Sequence, residues 1–289
     1  MSTRVAGPHI QLGSSVKDRP WEQARYFAVP DAHLYTVLHR VPNPIARVLL
    51  VGSFAHERHI SYRPWVRWAR YLAARGVEAL RYDYRGVGES TGTFEEMSFD
   101  NWIEDVQLLA SWLSGRSPRL PLMLHGLGIG GILAGKCFDE GSGDALLLWS
   151  PALSANKALR VGLAHWTGLG QLLEPSANRQ SASTLIKQLE QGSLVEVEGY
   201  LWSSRLWHDS FDIGLPAGLS DQEAASRAYA RPVRIAQLGR DAAPLIGPHP
   251  GFTEEAKDMS WLYAENFKWV ADALALQIGV ENETACAVA

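Results

Sequence analysis

The chain has 289 residues, 46% of them apolar, and a formal net charge of −4. That suffices for the core of one large α/β domain, or of a domain carrying an insertion, and the weak acidic balance argues against nucleic acid or an anionic membrane as partner. No apolar run reaches the length of a membrane span, residues 1–20 lack the apolar core of a signal peptide, and the two cysteines, Cys137 and Cys286, do not suggest a disulfide, so a cytoplasmic setting is expected.

In chain order, residues 1–20 read as a mobile tail. Residues 23–29 and 33–41 alternate in the strand period around Pro30-Asp31 and predict an antiparallel hairpin. Residues 47–52 form a continuous apolar run, as a central parallel strand requires. A loop over 53–62 should follow, then a helix over 64–75 that starts at Pro64 and buries Trp65, Trp68, Ala69 and Leu72. A strand is predicted over 77–83, a Gly/Ser/Thr-rich loop over 84–99 and an amphipathic helix over 101–114. Strands at 120–125 and Ala145–Trp149 flank a helix at 129–138. The alternation stops over 152–231, which reads as a helical cap inserted into a core of 21–151 and 232–280. A strand at 232–239, a helix at 260–277 and a tail over 281–289 complete the chain. The pattern predicts an α/β fold, a mostly parallel central sheet with helices on both faces. Loops 53–62, 84–92, 126–130 and 240–251, with the start of the insertion, should converge beyond the carboxyl ends of the strands.

The turn after the central strand carries the chemistry. Gly126-Leu127-Gly128-Ile129-Gly130 has the spacing of a nucleophile elbow, G-x-S-x-G, with glycine where the serine should stand. Gly126, Gly128 and Gly131 also spell the dinucleotide fingerprint G-x-G-x-x-G. That pattern needs an acidic residue at the end of the following strand, whereas Ala145–Trp149 ends in Ser150-Pro151 and Asp144 stands at its beginning. A nucleotide-binding oxidoreductase is therefore the weaker alternative.

Three segments carry a resemblance. Val48–Ala55 (VLLVGSFA) is similar to the strand and oxyanion loop of the α/β-hydrolase superfamily. Leu80–Ser90 (LRYDYRGVGES) resembles the D-x-R-G-x-G-x-S segment of its serine-aminopeptidase-like and lipase-like members. The elbow is the third. Phe54–Arg58 (FAHER) and Glu198-Gly199-Tyr200 further resemble hydrolase-like proteins associated with exosortase systems in bacterial envelope-polysaccharide clusters, several of which also lack an elbow serine. The resemblance implies an α/β-hydrolase fold and places the family's nucleophile position on Gly128. Asp241 stands near the position of the family's acid, and no histidine directly precedes the last helix, His249 being the nearest candidate.

The resulting expectations concern an acyl- or ester-type small-molecule ligand, with no cofactor and no metal. The backbone N–H of Ile129, with that of Ser53 or Phe54, would form an oxyanion site. His56, Glu57, Arg58 and His59 form a polar cluster beside the elbow; His56, Glu57 and His249 are acid–base candidates, with Asp241 as partner and Arg58 as a ligand contact. Asp83, Arg85, Glu89 and Ser90 are expected to brace their loop, His125 to be a core histidine, and Cys137, more than two helical turns from Gly128, to be inert packing. Trp202 and Trp207, with His208 beside them, are candidates to line a pocket under the cap. Two functional readings stand: a hydrolase-like protein that binds or transforms its ligand without an acyl-enzyme, and an active esterase or acyltransferase using a base-activated water.

Overall fold

The computed structural model describes residues 22–173, 180–238 and 260–275. β1 (Glu22–Val29) and β2 (Ala32–His39) form the expected antiparallel hairpin. Its turn places Asp31 at φ 59°, a left-handed conformation that aspartate accepts more readily than most residues. β3 (Ala46–Val51) leads into α1 (Ala55–Ala73), and β4 (Val77–Tyr82) leads through a long loop to α2 (Phe99–Arg116). β5 (Leu122–Leu127), α3 (Gly130–Asp139) and β6 (Ala145–Trp149) follow. Next come α4 (Ala155–Leu173), α5 (Ala182–Glu190), a small hairpin of β7 (Val195–Val197) and β8 (Tyr200–Trp202), α6 (Ser204–Asp209) and α7 (Gln222–Ala228). β9 (Val233–Ala236) returns to the main sheet, and α8 (Ser260–Ala273) is the last element described.

The main sheet has seven strands in the order β1-β2-β4-β3-β5-β6-β9. Its β3, β4, β5, β6 and β9 run parallel, and the hairpin joins antiparallel through β2. Every residue of β3, β5 and β6 is buried, because helices cover both faces and leave no solvent side. The two-residue period of β3 divides its side chains between the layers. Val48 and Leu50 pack with Trp65, Trp68 and Leu72 of α1 and with Phe267 and Val270 of α8. Leu49 and Val51 join the opposite cluster, which holds Trp102, Val106 and Leu109 of α2 and Ile132 and Leu133 of α3. Burying a side chain of this size contributes about 1.5–3 kcal/mol, so these two clusters fix where the strand ends, and hence the site, must lie.

Two expectations are corrected. The segment 53–62 is not a loop, since α1 begins at Ala55, directly after β3, and Pro64 lies in its interior. Proline at 64 removes one N–H from the helix, but the ring's fixed φ is helical and the loss is local. The buried stripe of Trp65, Trp68, Ala69 and Leu72 and a Ser61 Oγ bond to the Glu57 carbonyl (2.5 Å) hold the turns on either side. His56, Glu57, Arg58 and His59 therefore occupy helical positions. The second correction is the start of α2, at Phe99 rather than 101, where Ser98 and Asn101 exchange capping hydrogen bonds. The proposed tails, 1–20 and 281–289, and the loop 240–251 with Asp241 and His249 lie outside the described residues.

Candidate functional site

β5 turns into α3 at Gly128, whose φ of 55° is left-handed. The turn is tied on three sides: Gly128 N–H donates to the Trp149 carbonyl (3.1 Å), and its own carbonyl accepts from the N–H groups of Gly131 (3.0 Å) and Ala152 (3.0 Å). A Cβ at Gly128 would stand well inside van der Waals contact with Glu57 Oε2 and 2.6 Å from Ser53 Oγ. The space in which a nucleophilic side chain would begin is thus filled by a carboxyl group from the first turn of α1 and by a hydroxyl from the segment after β3. The early start of α1 closes this space.

Burial pushes the Glu57 pKa up. The Ser53 hydroxyl, which donates to the Leu127 carbonyl (2.9 Å), also lies against the Glu57 carboxyl and works against the rise. The Ile129 N–H, at the start of α3, favours the charged carboxylate but is outweighed by burial. Glu57 Oε2 is shut off from solvent and has no hydrogen-bond partner. The Glu57 side chain borders a cavity of about 20 Å³ walled by Phe54 and Ile129, by Ala158, Leu159 and Gly162 of α4, and by Trp202 of β8. That volume is room for about one water molecule. Carboxyl, backbone N–H and apolar walls together can hold an oxygen-bearing group and move a proton to or from it.

The other candidates are distributed as follows. Phe54 caps the N-terminus of α1, and its ring lies 4.8 Å from that of Trp102. Trp202 reaches the cavity, whereas Trp207 is buried in the core between Arg160 and Phe211 and does not border it. Arg58 is spent on Asp83 (2.7 Å). His56 lies in the first turn of α1 with its side chain outside the described atoms, and Asp241 and His249 lie outside the described residues. His208 is exposed and bonds the Ser204 carbonyl (2.8 Å) of its own helix. Cys137 is buried in the core, and burial pushes its thiol up to about 12, which keeps it un-ionised.

The segment after β4 is a brace, as its composition suggests. Asp83 Oδ2 accepts from the Glu89 N–H (3.1 Å), the Ser90 hydroxyl donates to the Asp83 carbonyl (2.6 Å), and Ser90 Oγ accepts from the Tyr35 N–H (2.8 Å). Arg85 forks onto buried Asp105 of α2, and its carbonyl takes the Trp102 indole N–H (3.1 Å). His125 is a core histidine, with Nδ1 against the Leu147 carbonyl (2.9 Å) and ring centroids of Trp65 and Trp149 within 4.8 Å. The glycines of the dinucleotide pattern serve packing: a Cβ on Gly126 would lie 2.5 Å from the Gly131 Cα, where strand and helix meet.

One contact escaped the sequence reading, the meeting of Glu198 with His165 and His59. Glu198 sits in the β7–β8 turn at φ 53°, 3.4 Å from His165 Nδ1 of α4, and the charge of His59 on α1 also acts on it. Burial raises the pKa of Glu198, while His165 and His59 work against the rise. The pair Glu198-Gly199 signals a turn, but nothing local in the sequence reveals that its carboxylate meets two helices. No cluster of three or more metal-ligating side chains occurs among the described residues, and no helix there is long and apolar enough to cross a membrane.

The family model for serine aminopeptidases (S33) matches residues 43–195, more than half of the chain. No curated protein matches it significantly. Among solved structures, a ferulic-acid complex of Est1E from Butyrivibrio proteoclasticus aligns with TM-score 0.57 and 14% identity over 86% of this chain and 99% of its own. The α/β hydrolase GrgF from Penicillium sp. sh18 gives 0.55 and 15% over 88% and 99%. A soluble variant of the monoglyceride lipase of Saccharomyces cerevisiae gives 0.54 and 14% over 88% and 95%. At these identities the likeness concerns the fold. With the strand order, the elbow turn and the brace after β4 in place, the family match assigns the chain: it belongs to the serine aminopeptidase (S33) family of α/β hydrolases.

Proposed function

We propose that this α/β hydrolase works without an acyl-enzyme, holding a small acyl- or ester-type molecule at the elbow and acting on it by proton transfer through Glu57. The observation that carries the reading is the Glu57 carboxyl in the volume where a nucleophilic side chain would begin. Gly128 itself offers no side-chain atom to accept an acyl group, and the Ser53 hydroxyl beside it is engaged with the Leu127 carbonyl, while the Ile129 N–H is placed to polarise a carbonyl oxygen. A carboxyl whose pKa burial raises above the usual glutamate value is better suited than an ordinary glutamate to give and take protons. The cavity beside Glu57 also suits the second reading, hydrolysis by a water that Glu57 deprotonates.

Residues 152–231 act in this reading as a cap, because α4 and β8 roof the cavity. The likeness of Phe54–Arg58 and Glu198–Tyr200 to exosortase-associated proteins supports a place in bacterial envelope-polysaccharide or secondary metabolism; the kinds of gene that neighbour this one are the check. A fluorophosphonate probe tests the central claim. It should label no serine, and any turnover of small p-nitrophenyl esters should fall at least tenfold in Glu57→Gln. A stoichiometric serine adduct would refute the reading, and saturable quenching of protein fluorescence by NAD would favour the oxidoreductase alternative.

A further inference from the structure

Glu57 is not merely near the elbow; it is seated there as a ligand would be. Its carboxyl takes up the volume over Gly128, faces the Ile129 N–H at the start of α3, and lies against Ser53 Oγ. Carboxylates suit such a position because a helix N-terminus presents unpaired N–H groups and a partial positive charge. Oε2, the oxygen over Gly128, has no hydrogen-bond partner, and Glu57 borders the cavity under α4 and Trp202. One oxygen is therefore poorly served by the chain itself, which favours exchange with something better matched.

We infer that the elbow is a carboxyl-binding site kept filled by the chain's own Glu57, and that the ligand it accepts in exchange is a short carboxylic acid or the acyl end of one. The inference rests on the function proposed above and narrows its ligand class. The displaced Glu57, protonated, then shares its proton with the incoming carboxylate. Size follows from the geometry: Glu57→Ala deletes a CH2 and a carboxyl group, the heavy-atom skeleton of acetate. The adjoining 20 Å³ adds room for about one more heavy atom. Acetate and propionate fit that space; a branched acid such as pivalate meets Leu159 and Trp202.

The test is chemical rescue of the full chain carrying Glu57→Ala, followed by thermal unfolding at constant ionic strength. Replacing sodium chloride with about 0.3 M sodium acetate should raise its Tm by at least about 3 °C, since a ligand bound only by the folded state stabilises it by mass action. Pivalate should do no more than chloride, and the wild type, in which acetate must first displace Glu57, should respond less than Glu57→Ala. Gly128→Ala added to Glu57→Ala puts a methyl group into the vacated space and should abolish the response. If Glu57→Ala does not fold in chloride, refolding yield in acetate against chloride replaces Tm. An equal effect of chloride, an equal response in the Gly128→Ala background, or no recovery in either salt overturns the inference. A fluorophosphonate adduct would instead strike the parent reading, so the two failures are distinguishable.

Discussion

Putting the family's serine back by Gly128→Ser should destabilise the protein rather than repair it. The residue sits at φ 55°, where a side chain costs about 1–2 kcal/mol. The new Cβ would also overlap Glu57 Oε2 and stand 2.6 Å from Ser53 Oγ, in a region closed by α1 on one side and α3 on the other. Overpacking of this kind costs roughly 1–3 kcal/mol, so a loss of about 2–5 kcal/mol is expected in urea unfolding. Glu57→Ala removes the larger overlap. In the double variant the two changes should couple favourably by about 1–3 kcal/mol, leaving mainly the backbone cost. Four proteins in one denaturation series close the cycle. Strict additivity within about 0.5 kcal/mol, or a Gly128→Ser protein as stable as the wild type, would show that Glu57 does not occupy the apex. A restored serine should also fail to react with fluorophosphonate, since no described histidine reaches Gly128; strong labelling would show that a base from outside the described residues reaches it.

Other outcomes follow from the buried charges. Burial holds His125 at a pKa of about 3 and, with Arg81 beside it, His39 at about 4. Their folded pKa values lie below the unfolded ones, so the unfolded chain binds more protons and stability falls as pH drops below about 6.5; His125 alone should account for roughly 2 kcal/mol by pH 5. A pH series of urea midpoints checks this, and His125→Phe, if it folds, should flatten the slope. Glu57 has the opposite sign. Its folded pKa lies above 4.5, so its contribution is lost as pH rises from there, and Glu57→Gln should be more stable than the wild type at pH 8 and indistinguishable below pH 4.5. A wild type that is the more stable at pH 8 would mean that the carboxylate is well paired. Asp105→Ala strands the Arg85 guanidinium in the core and should cost about 3–5 kcal/mol, far more than Glu104→Ala, whose carboxylate pairs with the same arginine at 3.6 Å from an exposed position.

Most of the fold is local information. The apolar runs at β3, β5 and β6 are buried strands because every side chain in them is apolar or small enough to lie between helices. The turn residues of Leu80–Ser90 announce their brace because aspartate and serine bond nearby backbone in whatever context they fold. The absence of a hydroxyl at 128 is a fact of composition, legible without any structure. What the sequence misplaced is α1, because Pro64 is as good a helix start as a helix interior and only the tertiary stripe from Trp65 to Leu72 decides between them. That nine-residue difference governs the site. As a loop, Glu57 would have been a solvated acid with an ordinary pKa; as the first turn of a helix anchored between β3 and β4, it is delivered to the elbow and desolvated there. Long-range packing alone sets the distance between a carboxyl at 57 and a glycine at 128, and so does the meeting of Glu198 with His165 and His59, since the groups involved come from elements the chain order keeps apart.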